Sequence, residues 1–121
     1  MKNVLVVDDE PGITEALKEL LSEEGFHVLT ALNGKEALAR IAERRPDLIL
    51  LDYMMPVMDG SELLAALRRD SAYQDIPVLM MSFIPRASIP LACTPTSFLR
   101  KPFRLEQLLA EVDRLLGEDK K

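Results

Sequence analysis

Residues 4–11 read Val-Leu-Val-Val-Asp-Asp-Glu-Pro. Four apolar residues in a row are typical of a strand covered on both faces, as in a parallel sheet. Two adjacent acids, Asp8 and Asp9, follow the strand, and Pro11 suits the first turn of a helix, where no amide is needed. In an open parallel α/β sheet, ligands bind beyond the carboxyl ends of the strands. These eight residues therefore predict an α/β domain with polar chemistry at that edge.

Apolar runs alternate with helical patterns along the rest of the chain, which favours a parallel sheet with crossover helices. The predicted strands are Val4–Val7, His27–Ala31, Leu48–Leu51, Pro77–Met81 and Phe98–Arg100. Four helices are predicted: one with Pro11 in its first turn, two that follow Asn33 and Asp59, and a last one from near Arg104. Asn33 and Asp59 each precede a glutamate by three residues, the spacing of a capping box. We predict one domain over residues 1–121.

Apolar residues at helical spacing mark the faces that the helices turn to the sheet. The predicted core positions are Ile13, Leu17, Leu20, Leu21, Ala37, Leu38, Ile41, Leu63, Leu64, Leu67, Leu105, Leu108, Leu109, Val112 and Leu116.

The segment between Ser82 and Phe98 breaks this alternation. Pro85, Pro90 and Pro95 recur at every fifth position, and a proline inside a helix costs about 3 kcal/mol. We expect a disrupted fourth helix, with at most one short turn around Arg86–Ile89. The segment is expected to be exposed and mobile, so its apolar residues Ile84, Ile89 and Leu91 would need cover from a partner or a second copy.

Composition restricts the classes of function. The chain has 121 residues, a net charge of −5 and 48% hydrophobic residues. The acidic balance argues against direct nucleic-acid binding, and no apolar run approaches the roughly 20 residues that span a bilayer. A lone cysteine, Cys93, and no visible signal peptide favour a cytoplasmic protein. His27 is the only histidine, which excludes sites built on several histidines.

Charged residues follow three of the predicted strands. Asp8 and Asp9 follow the first, Asp52 the third, and Lys101, before Pro102, the fifth. A single aspartate after a strand is usually a helix cap, but three carboxylates meeting at one edge repel one another unless a cation neutralises them. Oxygen ligands suit a hard divalent ion, so we predict a Mg²⁺ site.

These motifs together resemble the receiver domain of bacterial two-component response regulators. The resemblance rests on Val-Asp-Asp-Glu-Pro at 7–11, Leu-Asp-Tyr-Met-Met-Pro-Val-Met-Asp-Gly at 51–60, Ser82, and Lys-Pro-Phe at 101–103. It covers essentially the whole chain. It implies a flavodoxin-like (βα)5 doubly wound fold with strand order 2-1-3-4-5 and a cis peptide at Lys101–Pro102.

The resemblance also implies a role for each site residue. Asp52 would accept a phosphoryl group from a sensor histidine kinase or a phosphotransfer protein. Asp9, Asp52 and the backbone carbonyl of Met54 would hold Mg²⁺, with Asp8 acting mostly through water. Lys101 and Ser82 would contact phosphoryl oxygens.

A conformational switch would follow from the same resemblance. Ser82 would move inward on phosphorylation, and the ring of Phe98 would follow it. The output would be binding to a downstream protein. Such a domain is a phosphoacceptor and not an enzyme that turns over a metabolite, although it promotes its own phosphorylation and dephosphorylation.

Two departures from the family pattern stand out. Phe83 occupies a place that is usually small, and the broken fourth helix alters the face on which receivers commonly dimerise, so homodimerisation stays open. A phosphorylation-independent interaction module is an alternative function. An aspartyl phosphatase is disfavoured because Asp8-Asp9 is not Asp-x-Asp, and a flavin or nucleotide binder because no glycine-rich turn follows the first strand.

Overall fold

The centre of the structure, a computed structural model, is a sheet of five parallel strands in the order β2-β1-β3-β4-β5. Residues 1–55, 57–90 and 93–116 are described. The strands are β1 (Asn3–Val7), β2 (His27–Ala31), β3 (Leu48–Asp52), β4 (Val78–Ser82) and β5 (Ser97–Arg100). The helices are α1 (Pro11–Glu23), α2 (Gly34–Glu43), α3 (Gly60–Arg68) and α4 (Leu105–Leu116). The predicted fold class and strand order are confirmed.

The strand ends differ from the predictions by one residue. β1 starts at Asn3, which pairs with His27. β3 runs on to Asp52, which pairs with Met81. β4 starts one residue later than predicted, at Val78, because Pro77 has no amide to donate to a ladder, and it also ends one residue later, at Ser82. β5 begins at Ser97 instead of Phe98.

Helices cover both faces of the sheet. On one face, α2 and α3 pack against alternate strand residues such as Leu5, Ile49 and Met80. On the other, α1 and α4 pack against their neighbours, such as Val6 and Leu50. This two-sided cover explains why the strands are continuously apolar.

Most predicted core positions are buried, but two are wrong. Ile13 and Leu105 are exposed, since each lies in the first turn of its helix, beyond the sheet edge. Leu20, Leu38 and Leu109 are only half-buried. Leu17, Leu21, Leu108 and the other predicted positions are buried.

The predicted helix caps are confirmed. The Asn33 side chain accepts a hydrogen bond from the Glu36 amide at 2.9 Å. Asp59 forms a full capping box, accepting from the Glu62 amide at 2.9 Å while Glu62 accepts from the Asp59 amide at 3.0 Å. Gly25 follows α1 with a φ of +96°, a conformation that favours glycine.

The segment between β4 and β5 contains no α-helix among its described residues. One 3₁₀ turn spans Arg86–Ser88, as predicted. The expectation that Ile89 needs cover from another molecule is wrong, because Ile89 is 2% exposed and packs in the same core cluster as buried Cys93. Arg86 donates a hydrogen bond to the Cys93 carbonyl at 2.9 Å, which folds the segment on itself. Leu91 lies outside the described residues.

Candidate functional site

The carboxyl edge of the sheet brings the predicted site residues together. Asp52 and Ser82 are the last residues of β3 and β4. Asp8 directly follows β1 and continues its ladder, since its amide donates to the Ala31 carbonyl at 3.1 Å. Lys101 follows β5, and its amide donates to the Ser82 carbonyl at 2.8 Å. Parallel register therefore aligns residues that lie far apart in the sequence.

Three carboxylates form a cluster at this edge. One oxygen each from Asp8, Asp9 and Asp52 lies within 4.8 Å of the others. Asp8 and Asp52 are buried, whereas Asp9 is exposed. The cluster thus combines two buried acids with one acid that faces solvent.

Lys101 bridges the two buried carboxylates. Its Nζ lies 3.2 Å from Asp8 Oδ2 and 3.2 Å from Asp52 Oδ1. Asp8 also accepts a hydrogen bond from the Glu10 amide at 3.0 Å. The sequence predicts Lys101 at the same sheet edge as these acids but not its pair with Asp8, because two adjacent acids give no signal as to which one turns toward the lysine.

The electrostatics of the site reflect this crowding. Burial, together with the negative charge of Asp8, raises the pKa of Asp52 to about 6, although Lys101 opposes the shift. Burial alone would lower the pKa of Lys101, but the charges of Asp52 and Asp8 outweigh it and raise that pKa. One lysine, paired with two of the three acids, does not balance their charge, so the site retains negative charge and favours a cation.

A cavity of about 310 Å³ opens above Asp52. Its lining residues are Asp9, Glu10, Asp52, Met54, Ser82, Phe83 and Lys101. The Ser82 hydroxyl is buried and accepts a hydrogen bond from the Ile84 amide at 2.9 Å. That bond leaves the hydroxyl proton available to an acceptor in the cavity.

Other predicted features have their own outcomes. The cis peptide at Lys101–Pro102 is confirmed. Phe98 is half-buried and packs against the core cluster on the α2–α3 face, so its role as a switch stays a prediction. Met54 is 62% exposed, and the role of its carbonyl also stays a prediction.

A tight approach joins the loop after Asp52 to α3. The Gly60 amide donates to the Tyr53 carbonyl at 2.9 Å. A Cβ at Gly60 would lie only 2.5 Å from the Asp52 carbonyl oxygen and 2.9 Å from Tyr53 Cα. Glycine is needed here because backbone approaches backbone.

The fold and this site are those of a response-regulator receiver. The family model "Response regulator receiver domain" matches residues 4–113, and the chain belongs to this family. Receiver domains are signalling switches that histidine kinases phosphorylate.

Relatives and solved structures agree with this assignment. Response regulator MprA of Mycolicibacterium vanbaalenii is 41% identical over 116 residues, covering 93% of this chain and 49% of the relative. The chain thus spans about half the length of the curated relatives it matches. CheY4 of Vibrio cholerae has a TM-score of 0.87 at 37% identity, covering 95% of this chain and 98% of that chain. TrrA of Thermotoga maritima, solved in complex with Mg²⁺–BeF, has a TM-score of 0.85 at 35% identity over 95% of this chain and 99% of that chain.

No helix within the described ranges is long and apolar enough to cross a membrane.

Proposed function

We propose that residues 1–121 form a single receiver domain that accepts a phosphoryl group on Asp52 in a Mg²⁺-dependent reaction. The donor is a histidine kinase or a phosphotransfer protein, and the modified domain controls binding to a downstream protein. One observation carries the proposal: Asp8, Asp9 and Asp52 converge within 4.8 Å, and Lys101 bridges the two buried acids at 3.2 Å.

The residues present fit a magnesium ion. All the donors are oxygens, which Mg²⁺ prefers, and the ion keeps several of its waters when bound. Asp9 and Asp52, with the Met54 carbonyl, would hold it; exposed Asp9 suits a partly hydrated ion. Asp8 is engaged by Lys101, which supports a contribution through water. When bound, the ion neutralises charge around the transferred group.

The chain supplies the other parts of phosphoryl transfer. An Asp52 carboxylate oxygen attacks phosphorus while the bond from phosphorus to the donor's histidine nitrogen breaks, and that nitrogen keeps the electron pair. With a pKa of about 6, Asp52 is mostly ionised at neutral pH and available for attack. Lys101 can turn from Asp52 to one phosphoryl oxygen, and the Ser82 hydroxyl can donate to another.

Intact-mass measurement after incubation with Mg²⁺ and acetyl phosphate tests this function. Wild type should gain one phosphate, and Asp52→Asn should gain none because the nucleophile is gone. Asp9→Ala should weaken Mg²⁺ binding and slow labelling at low Mg²⁺. Glu15→Gln is the control, since it removes one exposed acid on α1 and should label like wild type.

Two results would contradict the proposal. Labelling of Asp52→Asn at the wild-type rate would place the phosphate elsewhere, and unchanged Mg²⁺ affinity in Asp9→Ala would remove Asp9 from the ligand set. If Mg²⁺ with beryllofluoride gives no thermal shift and wild type does not label, the chain is a phosphorylation-independent interaction module.

A further inference from the structure

Phe83 occupies an unusual place beside the phosphoacceptor cavity. It directly follows Ser82, is 65% exposed as a residue, and lines the cavity above Asp52. It also lines a second, mainly apolar cavity of about 260 Å³, together with Leu17 on α1 and Phe103 after β5. A large exposed aromatic side chain shared between two cavities invites a functional explanation.

The ring of Phe83 contacts the charged end of Lys101. The Lys101 Nζ lies 5.5 Å from the ring centroid, within the range of a cation–π interaction. Lys101 is 12% exposed and its two carboxylate partners are buried, whereas Phe83 is exposed. The ring is therefore the solvent-side neighbour of the ammonium group.

The backbone of Phe83 is anchored even though its ring is exposed. Arg100 Nε donates to the Phe83 carbonyl at 2.7 Å. On the preceding residue, the Ser82 carbonyl accepts from the Lys101 amide at 2.8 Å. Both bonds tie the end of β4 to the end of β5, so the residues that carry the ring and the ammonium are held in a fixed relation.

We propose that Phe83 is a positioning residue, whose ring holds the Lys101 ammonium over the phosphoacceptor cavity. This inference depends on the proposed function of Asp52. Lysine ends a flexible four-carbon stem, and phosphoryl transfer requires its charge to leave Asp52 for an incoming oxygen. A ring on the solvent side removes outward conformations of the stem, so the ammonium stays within reach of the transferred group.

Two substitutions at Phe83 distinguish the effect of its aromatic face from the effect of its apolar volume. Phe83→Leu keeps an apolar side chain without an aromatic face, and Phe83→Tyr keeps the face. With acetyl phosphate at saturating Mg²⁺, Phe83→Leu should lower the maximal labelling rate about two- to fivefold, the equivalent of about 0.5–1 kcal/mol. The half-saturating donor concentration should not change. Phe83→Tyr should retain the wild-type rate.

Nuclear magnetic resonance gives a readout that general destabilisation does not mimic. A ring near the ammonium shifts the Lys101 ε-methylene resonances, so this shift should disappear in Phe83→Leu and persist in Phe83→Tyr. Arg100→Ala removes the anchor of the Phe83 carbonyl and should reduce the same shift. Arg104→Ala is the matched control, because it removes an exposed arginine that makes no contact with Phe83 in the described hydrogen bonds.

The outcomes separate this inference from the proposed function. An unchanged Lys101 resonance in Phe83→Leu would overturn the contact, and an unchanged or faster labelling rate would overturn its role. If wild type takes no phosphate, the Asp52 assignment fails and the role of Phe83 in transfer fails with it. The resonance comparison would then decide only whether the ring places Lys101.

Discussion

Met54 and Ile84 present apolar side chains to the space around Asp52. Met54 lines the cavity above Asp52, and both residues line a neighbouring cavity of about 500 Å³ with Asp9. Water that attacks an acyl phosphate needs access and a polar group to orient it. Neither side chain can orient water, so we predict that a phosphoryl group on Asp52 would be lost slowly.

The Met54→Asn, Ile84→Glu double variant tests this effect. It should lose phosphate several-fold faster than wild type, because its polar groups can position the attacking water. The decay of the phosphorylated mass after donor removal measures the rate. Val57→Asn is the control: Val57 is exposed in the same loop with a φ of +71°, which asparagine tolerates. Equal decay of the double variant and wild type would refute the hypothesis.

The positions of the site residues could be predicted from the sequence because each of them lies at or just after the end of a strand. Asp8, Asp9, Asp52, Ser82 and Lys101 follow apolar runs, and parallel strands bring such ends together. The sequence did not reveal the contact between Lys101 and Phe83. These residues begin the loops after β5 and β4, and a side-chain contact between two loops leaves no periodic pattern in the sequence.

At the scale of elements, Gly60 controls how closely α3 approaches the end of β3. Gly60→Ala should destabilise the protein by about 1–3 kcal/mol, because its Cβ would press on backbone that cannot move aside. Gly12→Ala in α1 is the matched control, since a Cβ there meets nothing within 4 Å. It should stabilise by about 0.5 kcal/mol. Urea unfolding of both variants measures the difference, and equal stabilities would contradict the packing argument.

A polar cluster links β5 to α4. Glu111 accepts hydrogen bonds from Ser97 and from Arg114, the latter at 2.8 and 2.9 Å. The bonds from Arg114 and Ser97 lower the pKa of Glu111 from 4.5 to about 2. An acid whose folded pKa is depressed stabilises the fold above its unfolded pKa. This contribution is present above about pH 4.5 and is lost as the pH falls toward 2.

Glu111→Gln should therefore lower the free energy of unfolding by about 1 kcal/mol at pH 7, a modest value because Arg114 is mostly exposed. The loss should shrink between pH 4.5 and 2. Thermal unfolding across this range measures it. Glu106→Gln, at an exposed position of α4, is the control and should change little. If the variant is less stable than wild type by the same amount at every pH, Glu111 acts through packing and not through its charge.

Elements were predicted well where local chemistry is strong. The caps at Asn33 and Asp59 and the apolar strands were recognisable because hydrogen-bonding and burial requirements are local. The first-turn residues Ile13 and Leu105 were misplaced because helical periodicity does not say where the sheet ends. Burial of Ile89 was missed because it depends on how a proline-rich segment folds over the completed sheet.

At the scale of the whole molecule, the segment between β4 and β5 has few backbone hydrogen bonds among its described residues. The described amide bonds of its turns are those of Ser88, Ile89 and Cys93. Hydrogen exchange over residues 83–90 and 93–96 should therefore be faster than in β4. Mg²⁺ with beryllofluoride should slow it if phosphorylation orders the segment. Strong protection in both states would instead mean a rigid segment without a switching role.

The Lys101–Asp8 bridge spans 93 positions of the sequence, and this has a consequence for synthesis. Translation runs from the amino end, so Asp8 and Asp9 leave the ribosome well before Lys101, the residue that bridges Asp8 and Asp52. Until β5 has paired with β4, Lys101 cannot lie between the two buried carboxylates. On the proposed function, we therefore predict that a domain whose last strand has not yet paired accepts phosphate poorly.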